Sequence, residues 1–215
     1  GLAVVLVGDD PASEVYVASK IRACERAGIR SSSHRMAHGV GRGELLALID
    51  ELNESPDIDG ILVQQPLPKH LDELKFTIMI SPEKDVDGFH PISVGKLVIG
   101  KDTFKSCTPY GIMELLKRYN IQTEGKHVVV VGRSNIVGKP IANMLVQKEE
   151  GANSIVTVCH SASPDIAYYT KQADILIAAV GRAHLIKKDM VKDGVVVIDV
   201  GINRIDAPET KKGYK

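Results

Sequence analysis

Tryptophan is absent from the 215-residue sequence, and aromatic residues make up only 4% of it. A core must therefore be assembled from Val, Ile, Leu and Ala, which suits buried parallel strands covered by helices. Cysteine is scarce as well. Cys24, Cys107 and Cys159 have the spacing of neither a zinc site nor a redox pair, so reduced thiols in a cytoplasmic compartment are expected. Net charge is lacking, because 27 basic residues balance 27 acidic ones. That argues against the basic stripe of a nucleic-acid binder. No signal peptide and no apolar run of membrane-spanning length is found, so no membrane partner is expected. The sequence opens inside a strand pattern without Met and stops in a polar stretch, as a piece of a longer chain would.

Strand and helix patterns alternate. Residues 2–7 (LAVVLV) read as a buried strand, followed by a helix capped by Ser13 and stopped by Gly28. Residues 29–36 read as a strand and 43–53 as an amphipathic helix with Leu45, Leu48, Ile49 and Leu52 on one face. A short strand at 61–63 ends before Pro66, and a helix is expected near 71–79. Residues 82–91 read as loop and 92–98 as a helical turn. Thr108-Pro109 reads as the start of a helix running to about Tyr119.

The second half is more regular. HVVVVG, SIVTVC, DILIAAVG and VVVIDVG read as strands, and GKPIANMLVQKEE and PDIAYYTKQA as helices. The right-handed crossover rule makes this an open parallel sheet. The fold class is α/β, with two α/β domains expected at 1–109 and 110–215, the second a Rossmann-like parallel sheet.

The first strand of that sheet ends at Gly132, and RSNIVGKP follows. A glycine-bearing turn between strand and helix lets a phosphate meet backbone N–H groups. The G-x-G-x-x-G string is absent, and Gly132 and Gly138 stand six apart. An acid at the end of the second strand usually holds the ribose of NAD. Here Cys159-His160-Ser161 has none, which favours the 2′-phosphate of NADP with Arg133 as its charge partner. The strand-end glycines Gly181 and Gly201 allow a flat ring to approach backbone. A different phosphate ligand remains open from pattern alone.

In the first half, Tyr16 and Lys20 are four apart and share a helix face. They read either as one wall of a cleft or as a solvated surface pair. Gln64 and Gln65 end an apolar strand, where ligand contacts or turn capping are both expected. Asp85 and Asp87 lie in a loop suited to recognising ring N–H groups. The histidines are scattered, so no metal site is expected.

Taken together, PASEVYVASK (11–20), GILVQQPLP (60–68), PEKDVDGFHP (82–91), CTPYG (107–111), VVVGRSNIVGKP (129–140), TVCHS (157–161) and DVGINR (199–204) resemble one family along essentially the whole chain. It is the bifunctional methylenetetrahydrofolate dehydrogenase/methenyltetrahydrofolate cyclohydrolase (FolD) family. The resemblance implies a folate-binding catalytic domain, an NADP-binding domain and a folate site in the cleft between them. It implies Lys20 as the principal catalytic residue, Gln64 as its orienting partner, Tyr16 flanking the folate and Asp87 on the pterin edge. Asp85 would support the loop. Gly132, Arg133, Ser134, Ser161, Gly181 and Ile202 would contact the cofactor.

The implied activity is NADP-dependent oxidation of 5,10-methylenetetrahydrofolate to the methenyl form, then hydrolysis to 10-formyltetrahydrofolate. A cytoplasmic homodimer is implied, as are a helix before Gly1 and a closing segment with a return helix after Lys215. Four departures stand out: Gln65 where Leu is frequent, Ser93 where Asn is usual, Ser106 where Pro is common, and a long connection at 148–154.

Overall fold

The computed structural model describes residues 1–201, apart from the side chain of Ala12. Two compact units divide the chain, one from Gly1 to Lys105 and one from Ser106 onward. The expected division after residue 109 would have cut through a helix that belongs whole to the second unit.

The first unit runs β1 (Leu2–Val7), α1 (Pro11–Ala27), β2 (Ser31–Met36), α2 (Arg42–Glu54), β3 (Gly60–Val63), α3 (Glu73–Met79) and α4 (Pro91–Val98). Its strands are parallel in the order β2-β1-β3. The pleat divides the side chains of β1 between two cores. Ala3, Val5 and Val7 pack with Leu45, Ile49 and Leu52 of α2 and Phe76 of α3. Val4 and Leu6 pack with Val17 and Ile21 of α1. The chain crosses from β2 over β1 to β3, so the crevice at a change of winding lies beyond the C-terminal ends of β1 and β3.

Local chemistry moves two expected helix starts. Asp10, not Ser13, caps α1, accepting from Ser13 N at 2.8 Å, with Pro11 at the first helical position. Asp72 caps α3 by accepting from Lys75 N. The segment read as loop at 82–91 is partly extended. Ile61 N donates to Lys84 O at 2.8 Å, and Asp85 bridges Ile61 in parallel. Beside it, a Cβ on Gly60 would collide with Cγ1 of Val86, so glycine lets this segment lie against β3.

The second unit runs α5 (Cys107–Arg118), β4 (His127–Val131), α6 (Gly138–Leu145), β5 (Ile155–Cys159), α7 (Ile166–Thr170), β6 (Ile175–Ala178), a 3-10 turn (Lys188–Met190) and β7 (Val196–Asp199). All four strands are parallel in the order β5-β4-β6-β7. Val128 and Val130 face Ile112 and Leu116 of α5 and Ile141 and Leu145 of α6. Val129 and Val131 face the opposite core with Ala173 and Leu176. The switch in winding falls between β4 and β6.

Here too the ends differ from expectation. Ser106, not Thr108, is the N-cap residue of α5. The helix expected through Glu150 stops at Leu145, because Ser154 N takes the Leu145 carbonyl at 2.9 Å and Asn153 N takes that of Gln147. Among the described residues, no helix is long and apolar enough to cross a membrane.

Candidate active site

The first group of polar side chains gathers at the winding switch of the first unit. Lys20 comes from the middle of α1, and Gln64 directly follows β3. Lys20 Nζ donates to Gln64 Oε1 at 3.0 Å. Gln64 Nε2 donates to the Gln65 carbonyl at 2.6 Å, which turns the amide oxygen toward the lysine. Tyr16 lies one turn before Lys20 and is 50% exposed.

Asp87 completes this group. Burial pushes its carboxyl up to about 6, Lys20 pulls it down, and Asp85 pushes it up again. A carboxyl whose ionised form lacks enough partners is poised to receive a ligand with N–H donors. Asp85 does other work. It is 1% exposed and accepts from Phe89 N at 3.3 Å and His90 N at 2.9 Å, so it shapes the turn behind Asp87.

The same loop has an anchor that the sequence reading missed. Lys84 Nζ donates to the carbonyls of Leu52 (3.1 Å), Asn53 (2.6 Å) and Ser55 (2.8 Å) at the end of α2. The first two are carbonyls that a helix C-terminus leaves without intrahelical partners, and the third, at the C-cap, also accepts from Ile58 N. Lys84 therefore ties the Asp87 loop to α2 as β3 ties it to the sheet. The contact spans about thirty positions, and no local pattern announces it.

The second group gathers where β4 and β6 diverge. Gly132 follows β4 with φ 130°, and a Cβ on it would strike the Ala179 carbonyl oxygen. A Cβ on Gly138 would strike the Gly132 carbonyl oxygen and lie 2.9 Å from Arg133 Cα. Both glycines are thus required by close backbone approach. Ser134 Oγ accepts from Val137 N at 3.1 Å and Gly138 N at 3.3 Å, closing the loop onto α6. The N–H groups of Asn135 and Ile136 donate to nothing among the described residues. They leave donors for a phosphate at this helix N-terminus.

Arg133 and His160 meet at the ends of β4 and β5. Arg133 Nη1 lies 3.3 Å from His160 Nε2, while Ala162 N donates to His160 Nδ1 at 3.2 Å. A neutral imidazole has one acceptor nitrogen, so His160 cannot accept from both. With Nδ1 occupied, two donors face each other, and an anion seated beside the pair would accept from both. In the sequence His160 figures only as part of the acid-free strand end Cys159-His160-Ser161, and the cofactor role there is assigned to Ser161. The signal for His160 was its position, first after the strand. Ser161 is exposed one residue further on, and Gly181 is exposed three residues beyond β6. Neither is brought into contact with Arg133 by a hydrogen bond among the described residues. Ile202 lies outside the described residues.

These features fit a dinucleotide with a 2′-phosphate. Among the described residues, no group of three or more His, Cys, Asp or Glu side chains is placed to hold a metal ion.

Two family models match the chain. Residues 1–87 match the tetrahydrofolate dehydrogenase/cyclohydrolase catalytic domain, and residues 106–214 its NAD(P)-binding domain. The bifunctional protein FolD of Chloroherpeton thalassium is 61% identical over all of this chain and 74% of its own length. The crystal structure of the bifunctional FolD dehydrogenase/cyclohydrolase from Campylobacter jejuni superposes with a TM-score of 0.92. It is 49% identical, over 99% of this chain and 72% of that one. The FolD of Trypanosoma brucei, solved with NADP and an inhibitor, gives a TM-score of 0.91 at 36% identity, over 100% of this chain and 72% of its own. The chain belongs to the tetrahydrofolate dehydrogenase/cyclohydrolase family.

Proposed function

We propose that the protein oxidises 5,10-methylenetetrahydrofolate to 5,10-methenyltetrahydrofolate with NADP and then hydrolyses the product to 10-formyltetrahydrofolate. The observation that carries this reading is the Lys20–Gln64 hydrogen bond beside a carboxyl held near pH 6, in a chain of this family. Asp87 binds the pterin edge through its ring N–H groups, which supply the partners that its burial withholds. Tyr16 offers an exposed aromatic face one turn from Lys20 for the flat pterin.

NADP, when bound, accepts the hydride. The second unit holds it. Loop N–H groups of Asn135 and Ile136 take the pyrophosphate, Arg133 and His160 take the 2′-phosphate with Ser161 beside them, and Ser134 keeps the loop closed. In hydrolysis, water adds to the methenyl carbon and loses a proton. The hydroxyl of this adduct then gives up its proton as the formyl C=O forms, the C–N bond to one folate nitrogen breaks, and that nitrogen takes up a proton, so that one proton is released overall. Lys20 is the titratable group at hand for these transfers, and Gln64 fixes where its nitrogen stands.

The first unit is then the folate-binding catalytic domain and the second the NADP-binding domain. A homodimer in the cytoplasm accompanies this reading. The free cysteines at positions 24, 107 and 159 are consistent with a reducing compartment.

The test is an absorbance assay with methylenetetrahydrofolate and NADP or NAD. The expected result is NADP reduction with transient methenyl absorbance that decays by hydrolysis. No NADP reduction would refute the reading.

A further inference from the structure

An N-cap serine ordinarily accepts a hydrogen bond from the first turn of its own helix. Ser106, the N-cap residue of α5, makes no such bond. Its side chain is 4% exposed and turned away, and its Oγ donates to the carbonyl of Ile136 at 2.8 Å, thirty positions along the chain. Ile136 lies in the loop between Gly132 and Gly138.

The peptide that receives this bond is gripped twice. Its oxygen, on Ile136, is held by Ser106, and its nitrogen, on Val137, is held by Ser134 Oγ at 3.1 Å. A trans peptide is planar, with C=O and N–H pointing in opposite directions. Two hydroxyls on opposite sides therefore fix the orientation of the whole unit. The next N–H back along the chain, that of Ile136, is one of the two loop donors without a partner among the described residues. It belongs to the preceding peptide, joined to the held one only through φ and ψ of Ile136, so holding the Ile136–Val137 unit restricts how far that N–H can swing.

We propose that Ser106 is a positioning residue for the dinucleotide loop, leaving its own helix uncapped by a side chain to hold the loop in a form that receives the pyrophosphate. The proposal rests on reading residues 132–138 as a dinucleotide cradle. It predicts an effect on NADP and NAD alike, because both carry the pyrophosphate. An effect through the 2′-phosphate would discriminate between them.

The test is calorimetric titration of the protein with NADPH and with NADH. Ser106→Ala should weaken both by roughly three- to tenfold, the yield of one hydrogen bond. Affinity for a folate analogue should not change, and the thermal midpoint should fall by only a few degrees, because the Ile136 carbonyl loses its donor. Ser106→Thr, which keeps the hydroxyl, should recover most of the loss. Unchanged affinity for both cofactors in Ser106→Ala would overturn the proposal. So would an equal loss for the folate analogue, or a loss that Thr does not recover, since either assigns the effect to packing. If the unaltered protein binds neither cofactor, the cradle reading itself fails, and this proposal with it.

Discussion

Lys20 and Gln64 stand 44 positions apart in the chain and 3.0 Å apart in space, with the amine donating to the amide oxygen. The amide cannot turn over without losing its bond to the Gln65 carbonyl. The pair is therefore preorganised, with the glutamine acting as a fixed acceptor that sets where the amine stands.

This pairing predicts a graded loss. Lys20→Met should lower methenyltetrahydrofolate hydrolysis by about a hundredfold or more, the usual share of a proton-transfer group. Gln64→Leu should lower it less, because the amine remains but is no longer held. Following the decay of methenyl absorbance measures both. Full hydrolysis by Lys20→Met would remove Lys20 from the mechanism.

The Asp87 carboxyl predicts a pH-dependent trade between stability and binding. Its value in the fold is about 6, against an ordinary 3.8. The folded state thus holds the proton more tightly than the unfolded chain does. The sign follows: below about pH 4 both states are protonated and the group costs the fold nothing. The cost grows between about pH 4 and 6 and is complete above that. Asp87→Asn removes the cost, so its thermal midpoint should exceed that of the parent at pH 8, with the gap closing toward pH 4. The same variant should bind folate about tenfold or more weakly, having lost a charged acceptor. A gap that widens on acidification would contradict this origin.

What was legible in the sequence was whatever short-range pattern encodes. The runs LAVVLV and HVVVV are largely apolar and β-branched, and each forms an inner strand of a parallel sheet. Glycines at 132 and 138 marked the loop, and the geometry explains both by close backbone approach. Helix ends were less legible because several residues compete to cap. Asp10 outcompeted Ser13, and Ser106 took the place expected of Thr108. The end of α6 was misjudged because Ser154, nine residues on, takes the Leu145 carbonyl. The role of Lys84 was illegible for the same reason, whereas His160 was marked by its place directly after β5 but not by its partners. Each depends on partners brought close only by the fold.

Arg133 predicts cofactor choice. Its guanidinium faces His160, whose acceptor nitrogen is already engaged by Ala162 N–H. Arg133→Ala should raise the KM for NADP by about tenfold or more and leave that for NAD nearly unchanged. Added salt should then weaken NADP binding less than it does in the parent, since this exposed charge is the one being screened. Equal losses for NADP and NAD would place the residue at the pyrophosphate instead.

Gly138 predicts the cost of closing the cradle. Any side chain there meets the carbonyl oxygen of Gly132 and the Arg133 backbone, and neither is a flexible side-chain end that can swing aside. Gly138→Ala must push the loop off α6, at about 1–3 kcal/mol, the usual cost of overpacking. It must also break the grip of Ser134 on Val137 and Gly138. NADPH affinity should fall by more than in Ser106→Ala, because the whole loop moves rather than one peptide relaxing. Affinity for a folate analogue should hold, since Lys20, Gln64 and Asp87 all belong to the other unit. Urea unfolding together with NADPH and folate-analogue titrations checks each part. A Gly138→Ala protein that binds NADPH as the parent does would show that the loop tolerates displacement, and that its closed form is not what holds the cofactor.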